Sequence, residues 1–395
     1  MSRVPRTNKA VDVIKEFIAM ESFGGMLLLF TTILALIVAN TELTEHIYHD
    51  FWEKHFGLVF HEFNATLSMH EWVNDVLMAI FFLSIGLEIK KEMLIGNLAS
   101  TKKALFPIIA AFGGMIIPIC IYLAINFEGE YKHGFGIPMA TDIAFALGIL
   151  MLLGRRVPVE LKVFLVTLAV VDDLGAIVVI ALFYSNGIVV PYLLSALFVV
   201  LTLFTLNKFG VKNIFVYLIG GLFLWYFVHH SGIHATIAGV LLAFTIPLRV
   251  EVVAKSPLAK MEHVLNPLSA YVIMPVFAFA NAGVTIGGEF SVNSVTMGII
   301  LGLVVGKPIG IFLFTFLSEK FGIAKKHEGL TWTHIFGAGI LGGIGFTMSI
   351  FIATLTFGGD MLAETKLTIM ISSLIATVVG LLFFKVWVFR RGARV

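Results

Sequence analysis

Four charged side chains occur in the middle of long apolar stretches of this chain, where charges are rare: Asp142, Asp172, Asp173 and Lys307. A charge costs roughly 2.5 to 3.5 kcal/mol at the centre of a membrane helix, so each such residue indicates a functional site. Three carboxylates and one ammonium leave surplus negative charge, which a proton or a metal cation must neutralise. A site that accepts either ion has the minimum chemistry needed to exchange them.

Asp172 and Asp173 are neighbours in the chain and cannot do the same work on one helix. Successive side chains of a helix point about 100° apart. One carboxylate could therefore bind a cation while the other pairs with Lys307, and a cation that displaces a proton or breaks the pair couples the two ions. The alternative is a buried ion-pair cluster that only locks helices together, and such a cluster would be electrically neutral.

The composition shows what must surround these charges. Of the 395 residues, 58% are hydrophobic and only 13% are charged, too few charges to cover a soluble surface. The formal net charge of +2 argues against nucleic-acid binding, and the single cysteine, Cys120, excludes an intramolecular disulfide framework. We therefore expect an integral membrane protein that lies in a lipid bilayer and binds no nucleic acid.

Apolar stretches of about 17 to 25 residues predict twelve membrane helices. Positive charge accumulates in cytoplasmic loops and tests this count. With the N-terminus inside, 23 of the 27 Lys and Arg residues are cytoplasmic; Lys54, Lys132 and Lys366 are outside, and Lys307 lies in a span. We expect one domain, residues 1–395, with both termini cytoplasmic, including residues 1–17. The predicted spans are 18–39, 73–95, 104–125, 135–153, 161–184, 191–207, 213–229, 233–248, 266–286, 296–316, 334–357 and 368–388.

The external segment 41–71 is long and polar. Within it, Gly57 to Met69 could fold as a β-hairpin around residues 61–64. A lone hairpin is marginally stable in water, so it would need the rest of the protein or a second subunit as a partner.

Two of the predicted spans should be broken helices. Gly134 and Pro138 precede Asp142 in the fourth span, and residues 337–345 of the eleventh are glycine-rich. Irregular backbone at membrane depth is tolerated where it lines a polar cavity, and the exposed helix ends carry partial charges that Asp142 and Lys307 could compensate. For the eleventh span alone, close helix packing explains the glycines equally well.

Spans three to five, about 104–184, and ten to twelve, about 296–388, form two triplets with the broken helix in the middle. Corresponding members are seven spans apart, and an odd offset gives them opposite orientation. The fold we expect is an all-α membrane protein with inverted-topology repeats and two broken helices that cross near the midplane, as in transporters.

Several stretches of the chain are familiar as motifs. The chain resembles the NhaA family of sodium/proton antiporters of bacterial inner membranes over essentially its whole length, and NhaA is itself a known example of inverted-repeat architecture. The strongest motifs are ATDIAFA at 140–146, VDDLG at 171–175, GKP at 306–308 and GFTMS at 345–349; further matches are 74–88, 231–239 and 277–283.

The resemblance assigns roles to the charged residues. It implies that Asp173 is the principal cation ligand and proton carrier, that Asp172 exchanges between Lys307 and the transported Na⁺, and that Thr141 and Asp142 line the helix break. It also implies electrogenic exchange of two protons inward for one Na⁺ or Li⁺ outward, more activity at alkaline pH, and homodimers joined through the external segment. No cofactor is expected, since no nucleotide motif has the required context.

The resemblance further implies a pH-responsive cluster at the cytoplasmic mouth, formed by Glu88, Glu92, Glu262 and His263. Interacting carboxylates and a histidine can titrate near neutrality. The alternative for Glu92 is an ordinary solvated helix end. Asn266 stands where some relatives have a second histidine, so the pH set point is not transferable.

Asp75 and His234 are two further polar residues in or beside the spans. For His234 we expect an influence on pH response or packing rather than metal binding, because Ser231 and Gly232 interrupt the spacing to the preceding histidine.

We therefore predict a secondary transporter, not an enzyme. It should export sodium in exchange for protons and serve sodium and pH homeostasis. One alternative is a sodium-coupled carrier for an organic anion, which would need a cationic anchor beyond Lys307, and the spans contain no arginine. Another is a non-transporting membrane sensor, which would be indifferent to neutralisation of Asp172 or Asp173.

Overall fold

The computed structural model describes residues 9–60, 63–185, 187–248, 253, 255–285 and 292–388. Several residues of the predictions lie outside these ranges, namely the basic residues Arg3, Arg6, Arg249, Arg390, Arg391 and Arg394 and the hairpin tip at 61–62.

The described chain is mostly helical. A bilayer core contains no water, so a spanning chain must satisfy its backbone N–H and C=O groups internally, and helices do this within one segment. The elements are α1 (Lys9–Ala39), α2 (Glu45–Glu53), β1 (His55–Phe60), β2 (Phe63–Ser68), α3 (Met69–Ile95), α4 (Thr101–Ile125), α5 (Ile143–Leu152), α6 (Val159–Phe183), α7 (Val190–Lys208), α8 (Ile214–His230), α9 (Ile237–Thr245), α10 (Pro257–Ala282), α11 (Ser294–Lys320), α12 (Trp332–Gly342), α13 (Phe346–Thr356) and α14 (Gly359–Trp387).

Within the described ranges, seven helices are long and apolar enough to cross a membrane, namely α3, α4, α6, α7, α10, α11 and α14. Two bent pairs raise the number to as many as nine. The predicted class, an all-α membrane protein, is therefore confirmed. Three more predicted spans coincide with shorter apolar helices, the Phe23–Ala39 part of α1, α8 and α9, so the count of twelve stays a prediction.

Both bends lie at the predicted helix breaks. A 3₁₀ helix ending at Met139 and the following α5 meet at 42°, and α12 and α13 meet at 43°. Pro138 lacks the N–H that a continuous α-helix would use, and Asp142 begins α5 as its N-cap. The second break follows the glycine-rich end of α12 at Gly342.

The helix that carries Lys307 is held very close to α4. A Cβ atom on Gly113 would collide with the carbonyl oxygen of Gly310, and a Cβ on Gly310 would collide with that of Gly113. Small residues allow such backbone contact, which is the usual means of tight helix packing in membranes. Because Gly310 is three residues from Lys307, this contact helps to position the lysine.

The segment after α2 forms a hairpin. β1 and β2 pair antiparallel, from His55 opposite Ser68 to Phe60 opposite Phe63, close to the predicted range. The indole Nε1 of Trp72 on α3 donates to the carbonyl oxygen of Phe56 at 2.8 Å. The hairpin is thus attached to the helical body.

Lys366 differs from its predicted position in an external loop. Helix α14 begins at Gly359, earlier than the predicted span 368–388, and Lys366 lies within it with only 8% of its surface exposed. Polar residues of this first part of α14 made it resemble a loop, although they face a cavity described below.

Candidate functional site

A buried ion pair joins α6 and α11. Lys307 Nζ lies 2.5 Å from Asp172 Oδ2, and both side chains are 0% exposed. Lys307 also donates to the hydroxyl of Thr141 at 2.5 Å. That hydroxyl lies 2.7 Å from Asp172 Oδ2 and 3.0 Å from the carbonyl oxygen of Gly342. With one proton, it donates to one of these acceptors at a time, and so links the ion pair to the end of α12.

The second oxygen of Asp172, Oδ1, is buried and has no hydrogen-bond partner among the described residues. A buried charged oxygen without a partner is costly, and a native structure that contains one requires an explanation. The ion pair is therefore incompletely satisfied by protein atoms alone.

Asp142 joins the two helix breaks. Its Oδ1 accepts from the backbone N–H of Phe145 at 2.9 Å, and its Oδ2 accepts from the backbone N–H of Thr347 at 3.2 Å and from the Thr347 hydroxyl. Its own N–H donates to the carbonyl oxygen of Ile344 at 2.8 Å. The carboxylate thus lies at the positive N-terminal ends of both α5 and α13, where a negative charge is stabilised.

As predicted, Asp142 compensates the partial positive charge at helix N-termini. The contacts of Lys307 differ from the prediction. The ammonium contacts Asp172 and Thr141, and Thr141 rather than Lys307 reaches the carbonyl at the end of α12. The short Thr141 side chain can reach both Lys307 and the carbonyl oxygen of Gly342 because the two helix breaks lie against each other.

Asp173 is buried near the Lys307–Asp172 ion pair. Its side chain points in a different direction from that of Asp172, as expected for successive residues of a helix. No hydrogen bond from another described residue reaches its carboxylate, and it is close enough to interact electrostatically with Asp172, Glu88, Asp142 and Lys307. Asp173, Asp142 and Glu88 line a cavity of about 60 Å³. Neither Asp172 nor Lys307 lines it.

The predicted central residues Thr141, Asp142, Asp172, Asp173 and Lys307 are thus brought together. Sequence reasoning did not single out the roles of Gly342, in the glycine-rich stretch 337–345, and of Thr347, in the motif at 345–349. It also did not place Ser84 and Ser269 in the cavity wall. These are neutral polar residues in apolar helices, and a search for polar as well as charged residues would have found them.

The residues of the predicted pH-responsive cluster are only partly together. Glu262 accepts from Lys91 Nζ at 2.8 Å, with side chains 10% and 31% exposed. Glu92 accepts from the backbone N–H of Asn97 at 2.7 Å, beyond the end of α3. His263 is exposed, next to Glu262 in sequence but on the outer side of α10.

Asp75 and His234, predicted separately, lie together. His234 Nε2 is 3.6 Å from Asp75 Oδ1, and His234 Nδ1 is 2.8 Å from the hydroxyl of Thr236. The indole Nε1 of Trp225 lies 3.4 Å from the carbonyl oxygen of Asp75. These contacts connect α3 with α8 and with the turn before α9.

A much larger cavity, about 1140 Å³, opens beside the hairpin, and we call it the hairpin-side cavity. Burial raises the pKa of Tyr48 in its wall to about 12, so the Tyr48 hydroxyl stays protonated and donates to the carbonyl oxygen of Phe279. Its other lining residues include Trp52, His70, Glu71, Glu364 and Lys366.

Two lining residues of the hairpin-side cavity belong to a ring of amide and imidazole contacts. Asn281 Oδ1 accepts from Lys366 Nζ at 3.1 Å and from His70 Nε2 at 3.0 Å. Asn74 Nδ2 donates to His70 Nδ1 at 3.1 Å and Asn74 Oδ1 accepts from Asn281 Nδ2 at 2.9 Å. The histidine is therefore neutral with its proton on Nε2. The ring ties together α3, α10 and α14.

Comparison with known proteins gives a consistent result. The sequence model of the family described as Na⁺/H⁺ antiporter 1 matches residues 15–384. The Na(+)/H(+) antiporter NhaA of Helicobacter pylori is 49% identical, over 96% of this chain and 97% of that protein. The Na(+)/H(+) antiporter NhaA 2 of Aliarcobacter butzleri is 51% identical, over 93% of this chain and 95% of that protein. The chain therefore belongs to the Na⁺/H⁺ antiporter 1 family, as its motifs predicted.

Proposed function

We propose that this protein is a Na⁺/H⁺ antiporter in which Asp172 and Asp173 bind Na⁺, or Li⁺, and protons alternately. The observation that carries the proposal is the environment of Asp173. Its buried carboxylate lines a small cavity beside the Lys307–Asp172 ion pair, and Asp172 Oδ1 has no hydrogen-bond partner among the described residues. Family membership and the relatives' names support the same conclusion.

The chemistry of exchange follows from competition for carboxylate oxygens. A buried carboxylate must be neutralised, and either a proton or a small cation does so. Na⁺ arriving at Asp173 displaces a proton, and it also competes with Lys307 for Asp172. Protons arriving later displace the cation. Because these groups interact strongly, the proton stoichiometry belongs to the cluster as a whole.

The helix breaks supply the element that can move. Asp142, held at two helix N-termini, and Thr141, held between the ion pair and Gly342, connect the broken helices to the charged residues. A change of charge at Asp172 is therefore transmitted to both breaks. We place the site at the midplane of a twelve-helix fold with inverted repeats, in which the helices on either side open alternately.

Exchange moves net charge across a bacterial inner membrane. Two protons enter for each Na⁺ that leaves, so one net charge moves inward, worth about 2.3 kcal/mol per 100 mV of membrane potential. The protein lies in a bacterial inner membrane with both termini in the cytoplasm, as a homodimer joined through the hairpin. Glu88, Glu92, Glu262 and His263 adjust activity to pH at the cytoplasmic end.

The test uses everted membrane vesicles that carry a pH gradient. Adding Na⁺ or Li⁺ to vesicles with the native protein should dequench a pH-sensitive dye, and Asp173→Asn should abolish the response. Asp50→Asn, the same change on the exposed face of α2, is the matched control and should respond like the native protein. A native protein that gives no response to either cation would refute the proposal and favour an organic-anion carrier.

A further inference from the structure

Polar residues follow the facing surfaces of α3 and α10 from one end of these helices toward Asp173. At the end of these helices that is farther from Asp173, Lys91 Nζ is paired with Glu262 at 2.8 Å. Further in, the hydroxyl of Ser84 donates to Asn266 Oδ1 at 2.8 Å. Ser84 and Lys91 are seven residues apart and Glu262 and Asn266 are four apart, spacings that place each pair on one helix face.

Ser269 lies one turn beyond Asn266 on the same helix. It is buried, and its hydroxyl oxygen has no hydrogen-bond partner among the described residues. It begins a π-helical segment, Ser269–Ile273, and such segments are frequent at functional sites. A buried hydroxyl without a protein partner indicates that a water molecule or an ion is its partner.

Ser84, Asn266 and Ser269 share the cavity of about 60 Å³ with Glu88 and Asp173. A cavity needs about 10 to 15 Å³ on this scale to hold one water molecule, so there is room for a cation with a few waters. The other residues that line it include the apolar side chains of Phe81, Ile85, Met274 and Met348. The cavity therefore offers three neutral polar side chains, Ser84, Asn266 and Ser269, as well as carboxylates.

We infer that Ser84, Asn266 and Ser269 form a site of neutral oxygens that holds incoming Na⁺ with part of its water shell before it reaches Asp173. The inference rests on the proposed antiport function and deepens it by naming a second binding position on the cytoplasmic route. Neutral oxygens suit this task, because a position on a conduction path must replace some hydration without holding the ion too strongly.

The site has a specific kinetic consequence. It contributes to capture of Na⁺ from the cytoplasmic side and takes no part in the competition with protons at Asp173. Loss of one of its oxygens therefore raises the apparent KM for Na⁺ and leaves the maximal rate nearly unchanged, the signature of lost binding.

The experiment compares Ser269→Ala with the native protein in everted vesicles, over a range of Na⁺ concentrations. The apparent KM should rise by about threefold to tenfold, the effect of one lost polar contact, with a maximal rate within about twofold. The variant should fold normally, because the removed hydroxyl makes no hydrogen bond within the described chain. Ser269→Thr, which keeps the hydroxyl, should restore the native KM.

Ser318→Ala is the matched control. Ser318 is also buried with a hydroxyl that has no partner among the described residues, but it lies on α11 away from this cavity. An unchanged KM in Ser269→Ala, or an equal rise in Ser318→Ala, would overturn the inference while the native protein still exchanges Na⁺. A native protein without exchange would instead overturn the proposed function, and the inference with it.

Discussion

Two lysine–carboxylate pairs in this protein differ greatly in their surroundings. Lys307 and Asp172 are fully buried, whereas Lys91 and Glu262 are 31% and 10% exposed. Removing one partner of a buried pair leaves an uncompensated charge, at a cost of about 3 to 5 kcal/mol. Solvent reaches the second pair through Lys91 and screens it, so this partly buried pair should contribute less than the fully buried one.

Lys307→Met should therefore lower the free energy of unfolding far more than Lys91→Met. We expect a loss of about 3 to 5 kcal/mol for the first variant and a clearly smaller loss for the second, whose Lys91 side chain is 31% exposed. Thermal unfolding of the purified variants in the same detergent measures the difference. Equal unfolding temperatures would show that the Lys307–Asp172 pair is not intact in the native protein.

At the residue scale, the sequence identifies charges but not neutral partners. Asp172, Asp173 and Lys307 stand out because charged residues are rare in apolar spans. Which aspartate pairs with Lys307 could not be derived, since adjacency on a helix shows only that the two diverge. Thr347 and Ser269 were missed because a hydroxyl in an apolar helix usually bonds to its own backbone.

The two broken helices act as one unit because their ends are bonded to the same carboxylate. Asp142 accepts from the N-terminal backbone of both α5 and α13, and Thr347 adds a hydroxyl to this contact. Hydrogen bonds to charged groups are worth about 1.5 to 3 kcal/mol, more than neutral ones. The crossing of the two broken helices should therefore depend on the Thr347 hydroxyl.

Thr347→Val keeps the shape of the side chain and removes its hydroxyl from Asp142. We expect the unfolding free energy to fall by about 1.5 to 3 kcal/mol and the Na⁺ response in vesicles to weaken. Thr354→Val is the control on the same helix, because the Thr354 hydroxyl donates to the carbonyl oxygen of Phe351 in its own helix. If both variants behave alike, the contact between Thr347 and Asp142 does not support the crossing.

Gly310→Ala tests the close approach of α4 and α11. The added methyl group would meet the backbone of Gly113, so the helices must separate, at a cost of about 1 to 3 kcal/mol, and Lys307 must shift with them. Detergent unfolding and vesicle assays should both show a loss. Gly358→Ala, at a glycine with open space around it, should have little effect, and a similar loss there would refute the packing argument.

At the element scale, glycine and proline were the informative residues. Pro138 and the glycines of 337–345 located both breaks, since they remove a donor or permit irregular backbone. The start of α14 was missed because Asp360, Glu364 and Lys366 have the composition of a loop. Their polar side chains are tolerated in the first turns of α14 because they line the hairpin-side cavity, and the sequence alone does not reveal that cavity.

The overall class of the molecule follows directly from composition and hydropathy. Charged residues make up only 13% of the chain, and helices are the simplest way for such a chain to satisfy its backbone in lipid. Orientation rests on the distribution of Lys and Arg, an average over many loops. No comparable pattern in the sequence indicates how two subunits would pack together. The proposed dimer therefore rests on the family resemblance and the hairpin alone.

Cysteine labelling tests the orientation in a background in which Cys120 is replaced by serine. Glu128 and Lys325 are exposed residues in loops that the twelve-helix topology places outside and inside the cell, respectively. An impermeant maleimide should label Glu128→Cys in intact cells and Lys325→Cys only in everted vesicles. Labelling of both from the same side would mean that the number of spans between them is wrong.

Proton release on Na⁺ binding tests the central claim, that the two ions compete for the same carboxylates, most directly. The purified protein in a weakly buffered, mildly alkaline solution receives NaCl, with choline chloride as the ionic-strength control, and the released protons are measured. Native protein and Asp50→Asn should release protons on Na⁺ addition, and Asp173→Asn should release none. Proton release that persists in Asp173→Asn, or Na⁺ binding to the native protein without release, would contradict exchange at this site.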